Sequence, residues 1–249
     1  MQPIRIIQIT DTHLKTPPGP LRGMEKSTDE SLLQVLKHVE TAAKDFLLFT
    51  GDLSDTPDAR TYQRLIELLT PLGVPVYCLP GNHDDPRLAA ATCANTGLLW
   101  QKIIDLDHWV IIMLNSFLPD VTHGELGAEE LNFLRAQLEY YVDRHILICL
   151  HHHPIHTGSM WMDEIMLKDG DEFFAIVDQY THIRGILWGH IHQEFDEMRE
   201  GVRLLGSPST CRQFKPDEHI FTVDDNHPGF RELILHGNGN IDTRVHRCP

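Results

Sequence analysis

Ile4-Arg5-Ile6-Ile7-Gln8-Ile9-Thr10-Asp11-Thr12-His13 sets a pattern that the chain repeats four more times. A short run rich in β-branched residues reads as a strand over residues 4–10. It ends in a carboxylate and an imidazole two residues apart. Phe46-Leu47-Leu48-Phe49 runs into Thr50-Gly51-Asp52-Leu53-Ser54-Asp55, and the strand expected over 74–79 runs into Pro80-Gly81-Asn82-His83-Asp84. The apolar runs 145–150 and 183–188 are followed by His151-His152-His153-Pro154 and by Gly189-His190-Ile191-His192.

What lies between these runs indicates how they are connected. Ser27 and Glu30 have capping-box spacing, and Leu32, Leu33, Leu36, Val39 and Ala43 follow at helical intervals. A second helical pattern carries Leu65, Leu68 and Leu69 and stops before Pro71. Strand–helix–strand alternation predicts parallel strands with crossover helices. Residues 103–105 and 109–114 flank a polar turn and predict an antiparallel pair, and 129–138 reads as a helix. Beyond Gly189 the chain is strand-rich, with turns at Glu200-Gly201 and Asn238-Gly239. The expected architecture is a β-sandwich flanked by helices, with βαβ units building one sheet and later hairpins the other. One domain over 1–249 is expected.

Composition narrows the partners. With 21 basic and 36 acidic residues the net charge is −15, which argues against nucleic acid and anionic membrane surfaces as partners. A small phosphorylated substrate remains compatible, because bound cations invert the local field. Five cysteines, odd in number and without a C-x-x-C, predict reduced thiols and a cytoplasmic location. Neither a leader nor a membrane span is expected from the sequence.

Carboxylate, imidazole and amide side chains at five strand ends can gather at one edge of the sheets. These donors suit Fe, Mn, Zn or Co, and they are too many for one tetrahedral ion. Two ions sharing a carboxylate, roughly 3.5–4 Å apart, fit better. Each segment alone is commonplace: Gly51-Asp52 and Asn82-His83 make ordinary turns, and Asp11 and His13 can simply terminate a strand. Five in a row, each after an apolar strand, are specific.

In this order, Asp-x-His, Gly-Asp-x-x-Asp, Gly-Asn-His-Asp, His-x-Pro and Gly-His-x-His resemble the signature of the calcineurin-like metallophosphoesterases. Further segments, among them 123–126, 150–154, 189–194, 208–216 and 245–247, are similar to the bacterial class III cyclic-AMP phosphodiesterases. The resemblance implies an α/β fold, a four-layer αββα sandwich of two mixed β-sheets flanked by helices. It implies that Asp11, His13 and His192 hold one ion, that Asn82, His152 and His190 hold the other, and that Asp52 bridges them. The family pattern places a ligand two residues before proline, which selects His152. Strand alternation would let only one of an adjacent pair reach the ions, leaving His151 and His153 on the other face or in the loop.

The implied reaction is hydrolysis of 3′,5′-cyclic AMP to 5′-AMP, by in-line attack of a hydroxide bridging two divalent ions, Fe²⁺ or Mn²⁺ foremost and Zn²⁺ or Co²⁺ as alternatives. His83 is the candidate proton donor to the leaving oxygen, and Asn82, His83 and His192 are the expected substrate contacts. Asp55 and Asp84 are expected to orient imidazoles. Met160, Trp161 and Phe214 are candidates for a wall against the base, and core packing accounts for them equally well. Cys211 reads as a buried thiol. Competing readings are a broad phosphodiesterase acting on glycerophosphodiesters or 2′,3′-cyclic nucleotides, a non-catalytic cyclic-nucleotide-binding metalloprotein, and a nuclease.

Overall fold

The computed structural model describes residues 2–249. In chain order the strands are β1 (Ile4–Ile9), β2 (Phe46–Thr50), β3 (Val76–Leu79), β4 (Leu98–Leu99), β5 (Ile103–Asp105), β6 (Trp109–Met113), β7 (His145–Cys149), β8 (Ile183–Trp188), β9 (Phe195–Arg199), β10 (Val202–Gly206), β11 (Gln213–Phe214), β12 (Val223–Asp224), β13 (Gly229–Leu235) and β14 (Ile241–Arg247). The helices are α1 (Thr28–Thr41), α2 (Ala59–Leu69), α3 (Pro86–Thr92), α4 (Gly127–Tyr140), α5 (Met160–Asp163) and α6 (Gly170–Val177).

Two six-stranded mixed sheets result, in the orders β14-β13-β1-β2-β3-β4 and β5-β6-β7-β8-β10-β9. In the first, β1 to β4 are parallel and β13 runs antiparallel to β1. In the second, β6, β7, β8 and β10 are parallel, with β5 and β9 antiparallel at the edges. The expected division of labour is therefore corrected. The last hairpin, β13–β14, joins the βαβ sheet, where it covers an edge of β1 that would otherwise present unpaired backbone groups.

Alternation along the strands feeds three cores. Ile6 and Leu48 point between the sheets with Leu147, Leu187, Leu205 and Leu233. Their neighbours Ile7, Ile9, Leu47 and Phe49 face Leu32, Val35, Leu36 and Val39 of α1 and Leu65 and Leu69 of α2. Ile112, Ile146, Ile148 and Trp188 face α4 and α6 through Leu134, Leu138 and Phe173. Four layers follow from that period of two. The capping box at α1 forms as expected: Glu30 N–H donates to Ser27 Oγ at 3.2 Å, and Ser27 N–H donates to Glu30 Oε2 at 2.8 Å.

A polar seam crosses the inter-sheet core just below the strand ends. The Gln8 amide donates to Thr50 Oγ1 at 2.7 Å and to the Trp188 carbonyl at 3.1 Å, while its oxygen accepts from the Ser207 hydroxyl. Buried Arg231 donates to Ser207 Oγ, Thr243 Oγ1 and the carbonyls of Phe195 and Gly206 at 2.7–3.1 Å. Burial lowers its pKa to about 10, so it stays cationic at neutral pH, supported by acceptors on both sheets.

Candidate active site

All five punctuated strand ends open onto the same edge of the sandwich. Asp11, Asp52 and Asn82 leave β1, β2 and β3 of one sheet; His151, His190 and His192 leave β7 and β8 of the other. Of nine non-glycine residues with positive φ among the described residues, five are Asp11, His13, Asp52, His190 and His192. Side chains with a Cβ avoid this region, so the chain accepts local strain where these groups converge. The neighbouring glycines are required by close approach. A Cβ on Gly81 would collide with Asp52 Oδ1, and one on Gly51 with the His151 ring.

One cluster holds Asp11, His13 and His192. Their donor atoms all lie within 4.8 Å of one another. His13 Nε2 and His192 Nε2 stand 3.2 Å apart, and His192 Nε2 is 3.3 Å from Asp11 Oδ1. His192 Nδ1 lies 2.7 Å from the Arg212 carbonyl, a contact that requires the proton on Nδ1 and leaves Nε2 as a lone pair. Phe214 stacks on the His192 ring at 4.1 Å and 7°. Asp11 accepts Thr10 Oγ1–H at 2.6 Å and the His190 amide at 3.1 Å.

The second cluster departs from the sequence reading. His151 Nε2 lies 3.2 Å from Asn82 Oδ1 and 3.4 Å from Asp52 Oδ2, and His151 Nδ1 donates to the Thr50 carbonyl at 2.8 Å. His152 instead directs Nδ1 to Ser116 Oγ at 2.8 Å, and its buried Nε2 has no hydrogen-bond partner. Donor atoms of His151, His152 and His190 still fall within 4.8 Å of one another. The argument that only one of an adjacent pair could approach is corrected: β7 ends at Cys149, so strand alternation no longer governs residues 151–153. His190 lies with Nε2 3.2 Å from the Ile165 carbonyl, leaving Nδ1 for the site.

Asp52 joins the clusters. Its Oδ1 accepts the His83 amide at 2.9 Å, while Oδ2 stands 3.5 Å from His13 Nε2 and 3.4 Å from His151 Nε2, one imidazole from each side. Buried carboxylates and imidazoles without a counter-cation perturb one another strongly. Burial disfavours a charge on His151, but Asp52 and Asp11 outweigh it and lift the imidazole to about 9. Burial would raise Asp52, yet His151, His83 and His13 hold it well below the carboxylate range. Desolvation drives His13, His152 and His190 well below their ordinary value, as neutral ligands require. Two carboxylates, an amide oxygen and lone-pair imidazoles aimed at common points suit a pair of divalent ions.

His83 Nδ1 donates to the Asp55 carbonyl at 2.9 Å, and its ring meets His13 edge-on at 4.7 Å. The expectation for Asp84 is corrected. Its carboxylate accepts the amides of Gly81, Leu53 and Ser54 and the Tyr62 hydroxyl at 3.0–3.2 Å, so it clamps two loops and orients no imidazole. Burial, then the Asp52 charge, raises Asp84 to about 6. Cys211 is a buried thiol against the Asp11 carbonyl, pushed up to about 12 by burial. A cavity of about 650 Å³ adjoins Asn82 and His83; its wall is Phe117, Pro119 and Val121, with Met160, Trp161 and Phe214 absent from it. Trp161 and Phe214 pack on each other beside His192 instead.

The calcineurin-like phosphoesterase family model matches residues 4–194, the span that carries every cluster residue described above. The chain belongs to the calcineurin-like phosphoesterase family. Within it, the chain is 39% identical over 98% of its length to a protein of Vibrio vulnificus named 3′,5′-cyclic adenosine monophosphate phosphodiesterase CpdA, 90% of which is covered. It is 40% identical over 99% of its length to a 3′,5′-cyclic-nucleotide phosphodiesterase of Nostoc, 93% of which is covered. A dimetal phosphatase from Danio rerio shares the fold, with a TM-score of 0.69 at 11% identity and 99% of each chain covered. Membership in this family is metal-dependent phosphoesterase chemistry, and the Asp and His clusters match it.

Sequence reasoning took the three histidines after β7 as candidates and the family pattern selected His152; the structure also brings His151 against Asn82 and Asp52. It also missed Ser116 and the carbonyls of Thr50, Ile165 and Arg212 that fix the imidazole tautomers. Backbone carbonyls carry no residue-type signal, so only the fold reveals them.

Proposed function

We propose that this protein hydrolyses 3′,5′-cyclic AMP to 5′-AMP at a pair of divalent ions. The observation that carries the reading is Asp52 Oδ2 between His13 and His151, at 3.5 and 3.4 Å. In this assignment Asp11, His13, Asp52 and His192 hold one ion, and Asp52, Asn82, His151 and His190 hold the other. His151 replaces His152, whose Nδ1 is held by Ser116 beside the cluster. Fe²⁺ or Mn²⁺ fits this oxygen-and-nitrogen set, and Zn²⁺ or Co²⁺ also does. Such ions would neutralise the phosphodiester and bring the pKa of a water near neutrality.

The protein's own groups do the rest. The carbonyls of Thr50, Ile165 and Arg212 keep the ligand lone pairs turned inward. Asp55 holds His83 by Nδ1, which presents Nε2 as the group that protonates the departing 3′ oxygen as the P–O3′ bond breaks. Asn82 and His192 border the phosphate position, and the cavity beyond His83 has room for a nucleoside. Free buried thiols at all five cysteines support a cytoplasmic setting. No helix among the described residues is long and apolar enough to cross a membrane.

The deciding experiment compares kcat/KM for cyclic AMP, cyclic GMP, a 2′,3′-cyclic nucleotide and a glycerophosphodiester on metal-loaded protein. Cyclic AMP is expected to lead. Negligible turnover of cyclic AMP beside brisk hydrolysis of another diester would reject the substrate assignment while leaving the metal centre in place.

A further inference from the structure

The cavity beside His83 has two unlike surfaces. Asn82, His83 and Asp55 form its inner end, and Phe117, Pro119 and Val121 form an apolar wall from the loop between β6 and α4. Asp84, Asp85 and Asp120 also border it with His123, and no lysine or arginine among the described residues does. An occupant there carries its negative charge at the metal end and offers the wall a neutral, flat surface.

The wall is held in place by the site itself. Phe117 N–H donates to Asn115 Oδ1 at 3.0 Å, and Asn115 N–H to Glu130 Oε2 at 3.2 Å. Between them, Ser116 Oγ holds His152 at 2.8 Å. At the loop's far end Gly124 packs so tightly on the His152 ring that a Cβ there would collide with it, and its amide donates to the Met166 carbonyl at 3.3 Å. The Phe117 backbone is thus fixed relative to the imidazoles, which lowers the ordering cost of binding.

We propose that Phe117, with Pro119 and Val121 beside it, is the nucleobase subsite: the base stacks on the Phe117 ring while the phosphate lies at the Asp52 centre. This rests on the cyclic-nucleotide reading and adds to it the group that separates nucleotides from base-free phosphodiesters. The acidic border sets the same preference from the other direction, because a second phosphate placed there would be repelled. The opposite flank, where Trp161, Phe214 and Phe221 pack together at 5.0–5.3 Å, is largely occupied by its own contacts.

Stacking of a base on an aromatic side chain is sequence-tolerant and substantial, so Phe117→Ala should lower kcat/KM for cyclic AMP about 10-fold, through KM. Phe117→Tyr should retain it. Turnover of glycerophosphoethanolamine should change less than about 2-fold, since it brings no base. Titration of metal-loaded protein with 5′-AMP and with inorganic phosphate should show the Phe117→Ala loss for 5′-AMP alone. Equal losses for both titrants, no loss for either, or a selective loss in Phe221→Ala instead would overturn the subsite. If the wild-type protein fails to turn over cyclic AMP but Phe117→Ala weakens only 5′-AMP, the reaction falls and the base site stands. If cyclic AMP is turned over and Phe117→Ala is indistinguishable from wild type, the reverse holds.

Discussion

The two flanks of the cleft are built in opposite ways. On the His192 side the imidazole is clamped: Phe214 stacks on its ring, Trp161 and Phe221 pack behind, and the Arg212 guanidinium lies 5.3 Å from the Phe214 ring and 5.2 Å from the Phe221 ring. On the His83 side the structure is held by carboxylates on backbone amides, and it leaves about 650 Å³ open. Aromatic packing fills space and fixes a ring; hydrogen bonds to a loop fix it without filling the space in front. Under the proposed function, the contrast would assign retention of ions to one flank and entry of substrate to the other.

Removing what both flanks share gives the largest effect. Asp52→Ala should abolish phosphodiesterase activity, on the order of 10⁴-fold or more, and lower metal content by elemental analysis, because it faces both clusters. Retention of two ions per chain and full turnover would remove the shared centre from which the contrast starts. Next, His151→Ala should cost about 10³-fold in activity together with one ion, whereas His152→Ala, which removes a neighbouring imidazole held by Ser116, should cost about 10- to 100-fold. The reverse order would return the ligand role to His152.

The flanks then separate. His83→Ala should lower kcat by about 100-fold with metal content unchanged, the amount a positioned proton donor contributes. Phe214→Ala should do the opposite, weakening retention of one ion and costing about 3 kcal/mol of stability in denaturant melts. A kcat loss without metal loss in Phe214→Ala would blur the division. The smallest effect belongs to acid. Burial raises the Asp163 carboxyl, but the His153 imidazole 3.5 Å away and hydrogen bonds from Thr157 outweigh it and hold the carboxyl well below its usual range. A depressed folded pKa means its stabilisation is complete above about pH 4 and is lost as pH falls towards the folded value. Wild type and Asp163→Asn should therefore converge in Tm as the solution is acidified below pH 4.

Much of this was legible from residue order. Apolar runs of period two, each stopped by a polar ligand, gave both the strands and the cleft, because the same strands feed cores on either side and end at one edge. The placement of β13–β14 was not legible, since edge pairing depends on which strand lies exposed after the βαβ units have formed. Strand alternation could not decide between His151 and His152 for a local reason. Alternation counts faces only while the chain is extended, and β7 stops two residues too early. Asp84 was misread because a carboxylate in a ligand-rich segment invites a side-chain role, while its partners are amides of two loops.

The Gln8–Ser207–Arg231 seam lies beneath ligands contributed by opposite sheets. A change in its length would tilt one sheet on the other and move Asp11, Asp52 and Asn82 as one body against His151, His190 and His192. The spacing between the two halves of the cleft is in this sense gauged from below. A search for variants with altered metal preference would therefore begin at residues 8, 207 and 231, leaving every ligand untouched.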